Sequence, residues 1–254
     1  MKILVCVKRV PFTGGKMVLA ADRKSLETRH LGFTISPHEE CGVEEAVRLI
    51  EAGGGESVVL TLGPPEAVEQ LRDAMALGID RAIHLETDGS EFDGESTAAA
   101  IVEAIRADEA AGPFDLIFFG NESADASGYQ VGLRVAHALG RPCVTGLKGL
   151  KVEGSAVRCE QDAGGGRDVY VVPMPAVVTV KEGLNLPRYP SVPGRMRAAR
   201  KPLTTANRSR PDQRLELLEL SVPGGPGRQT KLLGSGAAAA PAVVEVLRDV
   251  GVLT

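Results

Sequence analysis

Apolar residues in the first two hundred positions fall into short runs that alternate with longer amphipathic stretches. Five mostly apolar runs, rich in β-branched residues, lie at 3–7, 57–62, 82–85, 116–119 and 176–180. Stretches with helical spacing separate most of them, at 43–52, 66–76, 96–107 and 129–139. Strands that are apolar on both faces and alternate with helices favour a parallel sheet covered on both sides. The pattern therefore predicts a three-layer, doubly wound α/β domain with a mostly parallel sheet.

The segment 146–174 has a different pattern, in which apolar and polar residues alternate. Three alternating stretches lie at 147–152, 156–160 and 168–172, and glycine-containing turns at 153–155 and 163–166 divide them. Alternation over short segments joined by such turns is typical of an antiparallel meander. We therefore expect an antiparallel β extension of the same sheet.

After Lys201 the periodic pattern ends. No regular spacing is visible through 202–214, and a Pro- and Gly-rich stretch at 222–236 precedes a predicted terminal helix at 241–250. Between 214 and 222, the apolar residues form one ridge: Leu215, Leu217, Leu218 and Leu220. Such a segment carries too little apolar surface to form its own core. We therefore predict an α/β domain at 1–200 and an extended C-terminal arm at 201–254, ordered chiefly by a partner subunit that it wraps.

Composition narrows the class of partner and the compartment. The net charge of −4 comes from 33 acidic and 29 basic side chains mixed along the chain, which gives no overall field for nucleic acid or anionic lipid. The apolar run at 3–7 is too short for a signal peptide or a membrane span, and no Arg- and Ser-rich transit peptide precedes it. The four cysteines are Cys6, Cys41, Cys143 and Cys159, far apart and without a C-x-x-C pair. This spacing predicts reduced thiols in a cytoplasmic protein and no metal site. The short apolar run predicts that the chain does not insert into a membrane.

The first candidate site follows the predicted strand at 116–119 and leads into the next helix, so it lies at the carboxyl edge of the sheet. Its residues are Gly120, Asn121, Glu122, Ser123, Ala124, Asp125, Ala126, Ser127, Gly128, Tyr129, Gln130 and Val131. Small residues here let backbone N–H groups approach an anion at the helix N-terminus, which favours a phosphate cradle on 123–130. Neither a P-loop nor a G-x-G-x-x-G motif is present, and a well-capped turn is the alternative.

The second candidate site lies just before the amphipathic stretch 43–52, where the sequence signals the start of a helix. Its residues are Ser36, Pro37, His38 and Glu39. Ser36 suits an N-cap, Pro37 the first helical position, and acidic residues the first turn, so a purely structural role is also consistent with this pattern. The other histidines, His30, His84 and His137, have no metal-ligand spacing, and nothing indicates a catalytic triad or a zinc site.

A third feature is the segment 178–201, in which a buried strand leads into an extended stretch with three prolines and then a short basic helix. A strand of the core thus presents a stiff loop at the surface. The basic residues at its end are Arg195, Arg197, Arg200 and Lys201. They form either a solvated helix face or a contact with an acidic partner or a phosphate group.

This segment resembles a motif of the electron transfer flavoprotein β subunits, L-N-x-P-R-Y/F-x-S/T-x-x-x-x-M-x-A-x-x-K. The matching residues are Leu184, Asn185, Pro187, Arg188, Tyr189, Ser191, Met196, Ala198 and Lys201. Further similarity to the family occurs in the same order along nearly the whole chain, at 3–10, 36–37, 43–46, 77–82 and 175–179.

The resemblance implies an electron carrier subunit without a catalytic site of its own. It implies an α subunit that holds FAD, a bound AMP in this chain, and electron transfer from flavin dehydrogenases to a quinone-linked oxidoreductase. By matching positions it places the AMP site at Cys6, Leu62 and the two candidate turns already named. It places the contact with the dehydrogenase in the loop at 180–201, on Glu182, Leu184, Asn185, Pro187, Arg188 and Tyr189.

Two alternatives remain open at the level of sequence. The residues Gln130, Val131 and Gly132 resemble the A-Q-V-G motif of bifurcating members of the family, which place a second FAD where other members hold AMP. The D-G-D-T motif of those members is absent at 125–128, and this absence favours AMP.

The other alternative is a stand-alone adenine-nucleotide-binding module, whose architecture would be similar to that of adenine-nucleotide hydrolases. Residues 11–13 replace a segment that brings a tyrosine near the flavin in mitochondrial-type members. In the first candidate site, at 120–131, we expect the substitution Gly128→Val to crowd a bound nucleotide.

Overall fold

A computed structural model describes residues 1–12, 14, 17–222 and 230–253. Two parts of the sequence discussed above therefore lie outside the described residues. They are Thr13, in the segment 11–13 that differs from mitochondrial-type members, and 223–229, in the Pro- and Gly-rich stretch. Contacts divide the chain into two units, Met1–Leu218 and Glu219–Thr254. The candidate sites all lie in the first unit.

The first unit is built on a nine-stranded mixed sheet. Its strands are β1 (Lys2–Cys6), β4 (Glu56–Gly63), β5 (Arg81–Glu86), β6 (Leu116–Gly120), β7 (Cys143–Glu153), β8 (Ala156–Ala163), β9 (Gly166–Pro173), β10 (Ala176–Val180) and β11 (Leu203–Asn207). Their order is β11-β5-β4-β1-β6-β10-β7-β8-β9. All pairs from β11 to β7 are parallel, and β8 and β9 continue the sheet as an antiparallel meander. Two short strands, β2 (Arg9–Pro11) and β3 (Phe33–Ile35), pair separately.

Helices cover both faces of the sheet. They are α1 (Pro37–Gly53), α2 (Val68–Leu77), α3 (Gly94–Asp108), α4 (Val131–Leu139) and α5 (Val192–Ala198). Because successive side chains of a strand point to opposite faces, Ile3 and Val5 pack in the core with α1 and α2, while Leu4 and Cys6 pack in the core with α3 and α4. The predicted three-layer α/β fold, with its mostly parallel sheet and antiparallel extension, is confirmed.

The sequence pattern missed β11, because we expected no regular structure in 202–214. Leu203–Asn207 instead pairs with β5 in parallel register, from Leu203 opposite Ala82 to Asn207 opposite Glu86. The reason is its position at the edge of the sheet. An edge strand needs little apolar surface, and none of the five β11 residues is buried.

The second unit, Glu219–Thr254, contains the sixth helix, α6 (Ala240–Asp249), close to the predicted 241–250. No residue of α6 is buried, and Val243, Val244 and Val246 are all exposed. In the described part of the chain, no helix is long and apolar enough to cross a membrane.

Candidate functional site

A cleft of about 420 Å³ opens at the carboxyl ends of β4, β1 and β6, on the side of the sheet that α3 and α4 cover. The chain runs from β1 outward to β4 on one side and to β6 on the other, so the connections leave β1 in opposite directions. Open α/β sheets bind ligands in the crevice that forms at such a switch point.

Most of the predicted site residues meet in this cleft. Those that line it are Cys6, Glu39, Leu62, Gly120, Asn121, Glu122, Ser123, Ala126, Gly128, Tyr129, Gln130 and Val131. Ser36, Pro37, His38, Ala124, Asp125 and Ser127 do not line it. Ser36 lies behind the wall, where its Oγ accepts a hydrogen bond from the backbone N–H of Ala124 at 3.0 Å. It therefore joins the two predicted turns rather than facing the cleft.

Other residues of the wall were not predicted. They include residues at the strand ends (Lys8, Arg9, Gly63 and Pro64), residues of the loop 87–94 after β5, and Leu215. The loop could have been found from sequence, since it follows a predicted strand and leads to a helix whose N-cap, Asp93, accepts a hydrogen bond from Ser96. Leu215 gives no such local signal.

Part of the predicted phosphate cradle on 123–130 forms hydrogen bonds within the chain itself. The N–H of Ala124 bonds Ser36, and the N–H of Ser127 bonds the carbonyl oxygen of Ser123 at 3.1 Å. By contrast, the N–H groups from 128 to 133, at the start of α4, have no acceptor among the described residues. Ser127 and Tyr129 both have left-handed backbone conformations, with φ of 47° and 57°, as in turns that expose successive N–H groups. The backbone N–H groups at 128–133 are therefore available to a further acceptor.

Two glycines of the cleft have no room for a side chain. A Cβ at Gly120 would stand 2.7 Å from Cγ of Glu39, and a Cβ at Gly132 would stand 2.9 Å from Cγ2 of Thr179. At Gly128, the nearest atom would be 3.9 Å away, on the side chain of Gln130. The close approach thus occurs at the end of β6 and in the first turn of α4, and Gly128 has space for a methyl group.

Glu39 is a buried acidic side chain at the floor of the cleft. Its Oε2 accepts hydrogen bonds from the backbone N–H groups of Lys8 and Ser36, at 3.0 and 3.3 Å. Burial raises the pKa of this carboxyl group to about 8, because these two hydrogen bonds and the Lys8 charge only partly offset the loss of hydration. The pKa of the neighbouring Cys6 thiol is also raised, by burial first and then by Glu39, so Cys6 has little thiolate character.

Lys8 joins three of the loops around the cleft. Its Nζ lies 2.6 Å from Oδ2 of Asp125 and 3.6 Å from Oε2 of Glu91. Burial disfavours the charged amine, but the carboxylates of Glu91 and Asp125 outweigh it and raise the pKa of Lys8. Burial likewise opposes ionisation of Asp125, and Lys8 more than offsets it, so the pKa of Asp125 is lowered. The charge of Lys8 is thus already balanced by protein groups.

The predicted docking loop is fixed to α1 by two of its residues. The guanidinium group of Arg188 binds both Glu44 and Glu51, at 2.7–3.1 Å, and Glu44 is buried. The side-chain amide of Asn185 donates to the carbonyl oxygen of Cys41 and to Glu45. Asn185 and Arg188 therefore hold the loop in place.

The remaining side chains of this loop divide into inward and outward groups. Leu184 packs against the core on the α1 side, and Pro187 is half-buried. Glu182, Leu186 and Tyr189 point outward, and Leu186 and Tyr189 are 84% and 95% exposed. Leu186 and Tyr189 are therefore exposed large side chains of the loop, and Leu186 is a position that the motif did not single out.

The basic residues after the loop do not act as one cluster. Lys201 donates to carbonyl oxygens at the end of α2, including those of Met75 and Gly78, and Arg195 pairs with Asp73. Arg197 and Arg200 are exposed. All four cysteines are free thiols, and the described residues contain no group of three or more His, Cys, Asp and Glu side chains placed to hold a metal ion.

Fold and cleft together define a doubly wound α/β protein with a ligand-sized cavity at the switch point of its sheet. Residues 25–211 match the sequence model of the electron transfer flavoprotein domain. The chain belongs to the electron transfer flavoprotein family and resembles its β subunits over most of its length, which confirms the resemblance found in the sequence motifs.

Three relatives illustrate this similarity. The electron transfer flavoprotein subunit beta of Syntrophomonas wolfei is 35% identical over 224 residues, which cover 88% of this chain and 86% of that protein. The protein of the same name from Bacillus subtilis is 36% identical over 205 residues, covering 80% and 77%. The mitochondrial subunit beta of Arabidopsis thaliana is 35% identical over 206 residues, covering 80% of each chain.

Proposed function

We propose that this chain is the β subunit of a heterodimeric electron transfer flavoprotein, that it binds AMP in the cleft, and that it supports FAD held by an α subunit. The complex takes electrons from flavin dehydrogenases and passes them to a quinone-linked oxidoreductase. The chain itself is an electron carrier subunit, not an enzyme, and we propose that it works in the cytoplasm. The observation that carries the proposal is the pairing, in one cleft, of free backbone donors with an apolar wall.

The cleft suits the three parts of a mononucleotide. Leu60, Leu62 and Ile101 offer apolar surface for a base near the end of β4. The N–H groups at 128–133 and the N-terminus of α4 offer donors for a phosphate beyond the end of β6. Between them, near the end of β1, the carboxyl group of Glu39 lines the space left for the ribose, whose hydroxyl groups can form hydrogen bonds with it.

A flavin on the α subunit would supply the electron chemistry, since it accepts and releases electrons. The contribution of this chain is then to bind AMP, to support the α subunit that holds FAD, and to contact the dehydrogenase. Tyr189 and Leu186 present apolar surface on a loop that Arg188 and Asn185 hold rigid, and a rigid loop loses little conformational entropy on binding a dehydrogenase.

The alternative within the family is FAD in the same cleft, as in bifurcating members. The motif at 130–132 favours it. The volume of about 420 Å³ favours AMP, because FAD contains an AMP half and a flavin mononucleotide half, and the second half would extend outside this space.

Acid extraction of the purified heterodimer, followed by chromatography of the released nucleotides, decides between these assignments. We expect one FAD and one AMP per heterodimer. Two FAD molecules would establish the bifurcating alternative. A chain that purifies alone, with nucleotide but without an α subunit, would indicate the stand-alone module.

A further inference from the structure

The segment 208–215, which we call the strap, runs from the end of β11 past the mouth of the cleft. At its start, the backbone N–H of Arg208 donates to the carbonyl oxygen of Glu86 at 2.7 Å, and its guanidinium group pairs with Glu103 at 3.2 Å. At its end, Leu215 lines the cleft. The strap therefore leaves the edge of the sheet and returns to the candidate site.

Gln213 fixes the strap to the first turn of α3. Its Oε1 accepts a hydrogen bond from the backbone N–H of Asp93 at 2.6 Å, and its Nε2 donates to Oγ of Ser96 at 3.2 Å. Asp93 is itself the N-cap of α3 and part of the cleft wall. Both atoms of one amide group thus bind the turn that ends the wall loop 87–94, and Arg214 adds a contact with Glu95 at 3.4 Å.

Leu215 lines the cleft and yet is 72% exposed. When a ligand covers a large apolar side chain at the mouth of a cavity, apolar surface is removed from water and binding becomes more favourable. The ridge to which it belongs also includes Leu218, which is 74% exposed and does not line the cleft. The position of Leu215, and not its exposure alone, therefore distinguishes it.

We propose that the strap is a wall of the nucleotide site, in which Leu215 contacts the bound nucleotide and Gln213 positions Leu215. Nucleotide binding and seating of the strap then stabilise each other, since the coupling free energy between two linked events acts equally on both. This inference rests on the proposed function, because it requires that the cleft binds a nucleotide.

The test uses the full chain freed of nucleotide and titrated with AMP by calorimetry, and then with FAD. The variants are Leu215→Ser, Gln213→Ala and the matched control Leu218→Ser. We expect Leu215→Ser and Gln213→Ala each to weaken binding about tenfold, as for one lost contact of this kind. Leu218→Ser should bind as the wild type does. The inference applies to whichever of the two nucleotides the wild-type chain binds.

Hydrogen exchange separates a wall from a merely structural role. In the wild type, the amides of the strap should exchange more slowly when the nucleotide is added, and in Gln213→Ala this protection should be lost. Equal affinities of wild type and both strap variants would overturn the inference and leave the proposed function standing. A wild-type chain that binds neither AMP nor FAD would overturn both.

Discussion

Ser36 and Ala124 connect the two turns of the cleft: Oγ of Ser36 accepts a hydrogen bond from the backbone N–H of Ala124 at 3.0 Å. Ser36 is buried and caps α1, while Ala124 belongs to the loop after β6. This hydrogen bond therefore couples the position of α1, and with it Glu39, to the loop that leads to the free N–H groups of α4.

Replacing Ser36 with alanine should uncouple these turns. The change leaves the N–H of Ala124 without its acceptor, so we expect the free energy of unfolding to fall by about 1–2 kcal/mol. Affinity for AMP should fall as well, because the loop loses its support. Urea denaturation and calorimetry measure the two effects. Ser155→Ala, in the exposed turn between β7 and β8, is the control and should change neither quantity.

Gly132 and Gly128 should respond differently to a methyl group. Gly132→Ala brings Cβ to 2.9 Å from Thr179 and 3.2 Å from Phe119, and overpacking of this kind costs about 1–3 kcal/mol. It should also shift the N-terminus of α4 and reduce AMP affinity. Gly128→Ala meets no atom of the chain closer than 3.9 Å, so stability should stay near the wild-type value. Because Gly128 lines the cleft, its new Cβ takes space from a bound nucleotide, and affinity for AMP should fall. If Gly132→Ala were no less stable than Gly128→Ala, the assignment of the close contact would be wrong.

Glu39 should make stability depend on pH. The pKa of its carboxyl group is about 8 in the folded chain and near the ordinary 4.5 when unfolded. Between these values the folded state holds a proton that the unfolded state has lost, so the contribution of this group to the free energy of unfolding decreases as pH rises from about 4.5 to about 8. Each unit of the difference corresponds to about 1.4 kcal/mol.

Glu39→Gln removes the titration and keeps an oxygen that can accept from Lys8 and Ser36. Urea denaturation at a series of pH values between 5 and 8 should therefore show wild type losing stability relative to Glu39→Gln as pH rises. Parallel pH profiles for the two proteins would contradict this account.

Leu184 and Leu186 should separate folding from docking. Leu184 packs against the core, so Leu184→Ala should lower the free energy of unfolding by about 1–2 kcal/mol. Leu186 is 84% exposed, so Leu186→Ala should change stability by less than about 0.5 kcal/mol. Electron transfer from the donor dehydrogenase should nevertheless be slower in Leu186→Ala, since the variant lacks the outward apolar anchor. An unchanged rate in the folded Leu186→Ala heterodimer would exclude this docking role.

The sequence by itself determined the layers of the fold. The runs that became β1, β4, β6 and β10 are apolar at nearly every position because central parallel strands are covered on both faces, and this requirement is visible locally. The turns at 36–39 and 120–131 were also visible, because helix starts and small residues after a buried strand are local signals. The motifs of the segment 178–201 indicated the family.

Only the tertiary structure decided which parts of the chain share the cleft and which side chains face it. The loop 87–94 and Leu215 reach the site because of strand order and because Gln213 binds Asp93, and contacts between distant segments leave no periodic signal. The space at Gly132 depends on Thr179, and the outward direction of Leu186 depends on Arg188 and Glu44. Local sequence patterns determine the secondary structure of a segment, since they reflect its own burial and turns. Packing between segments determines which other residues it contacts.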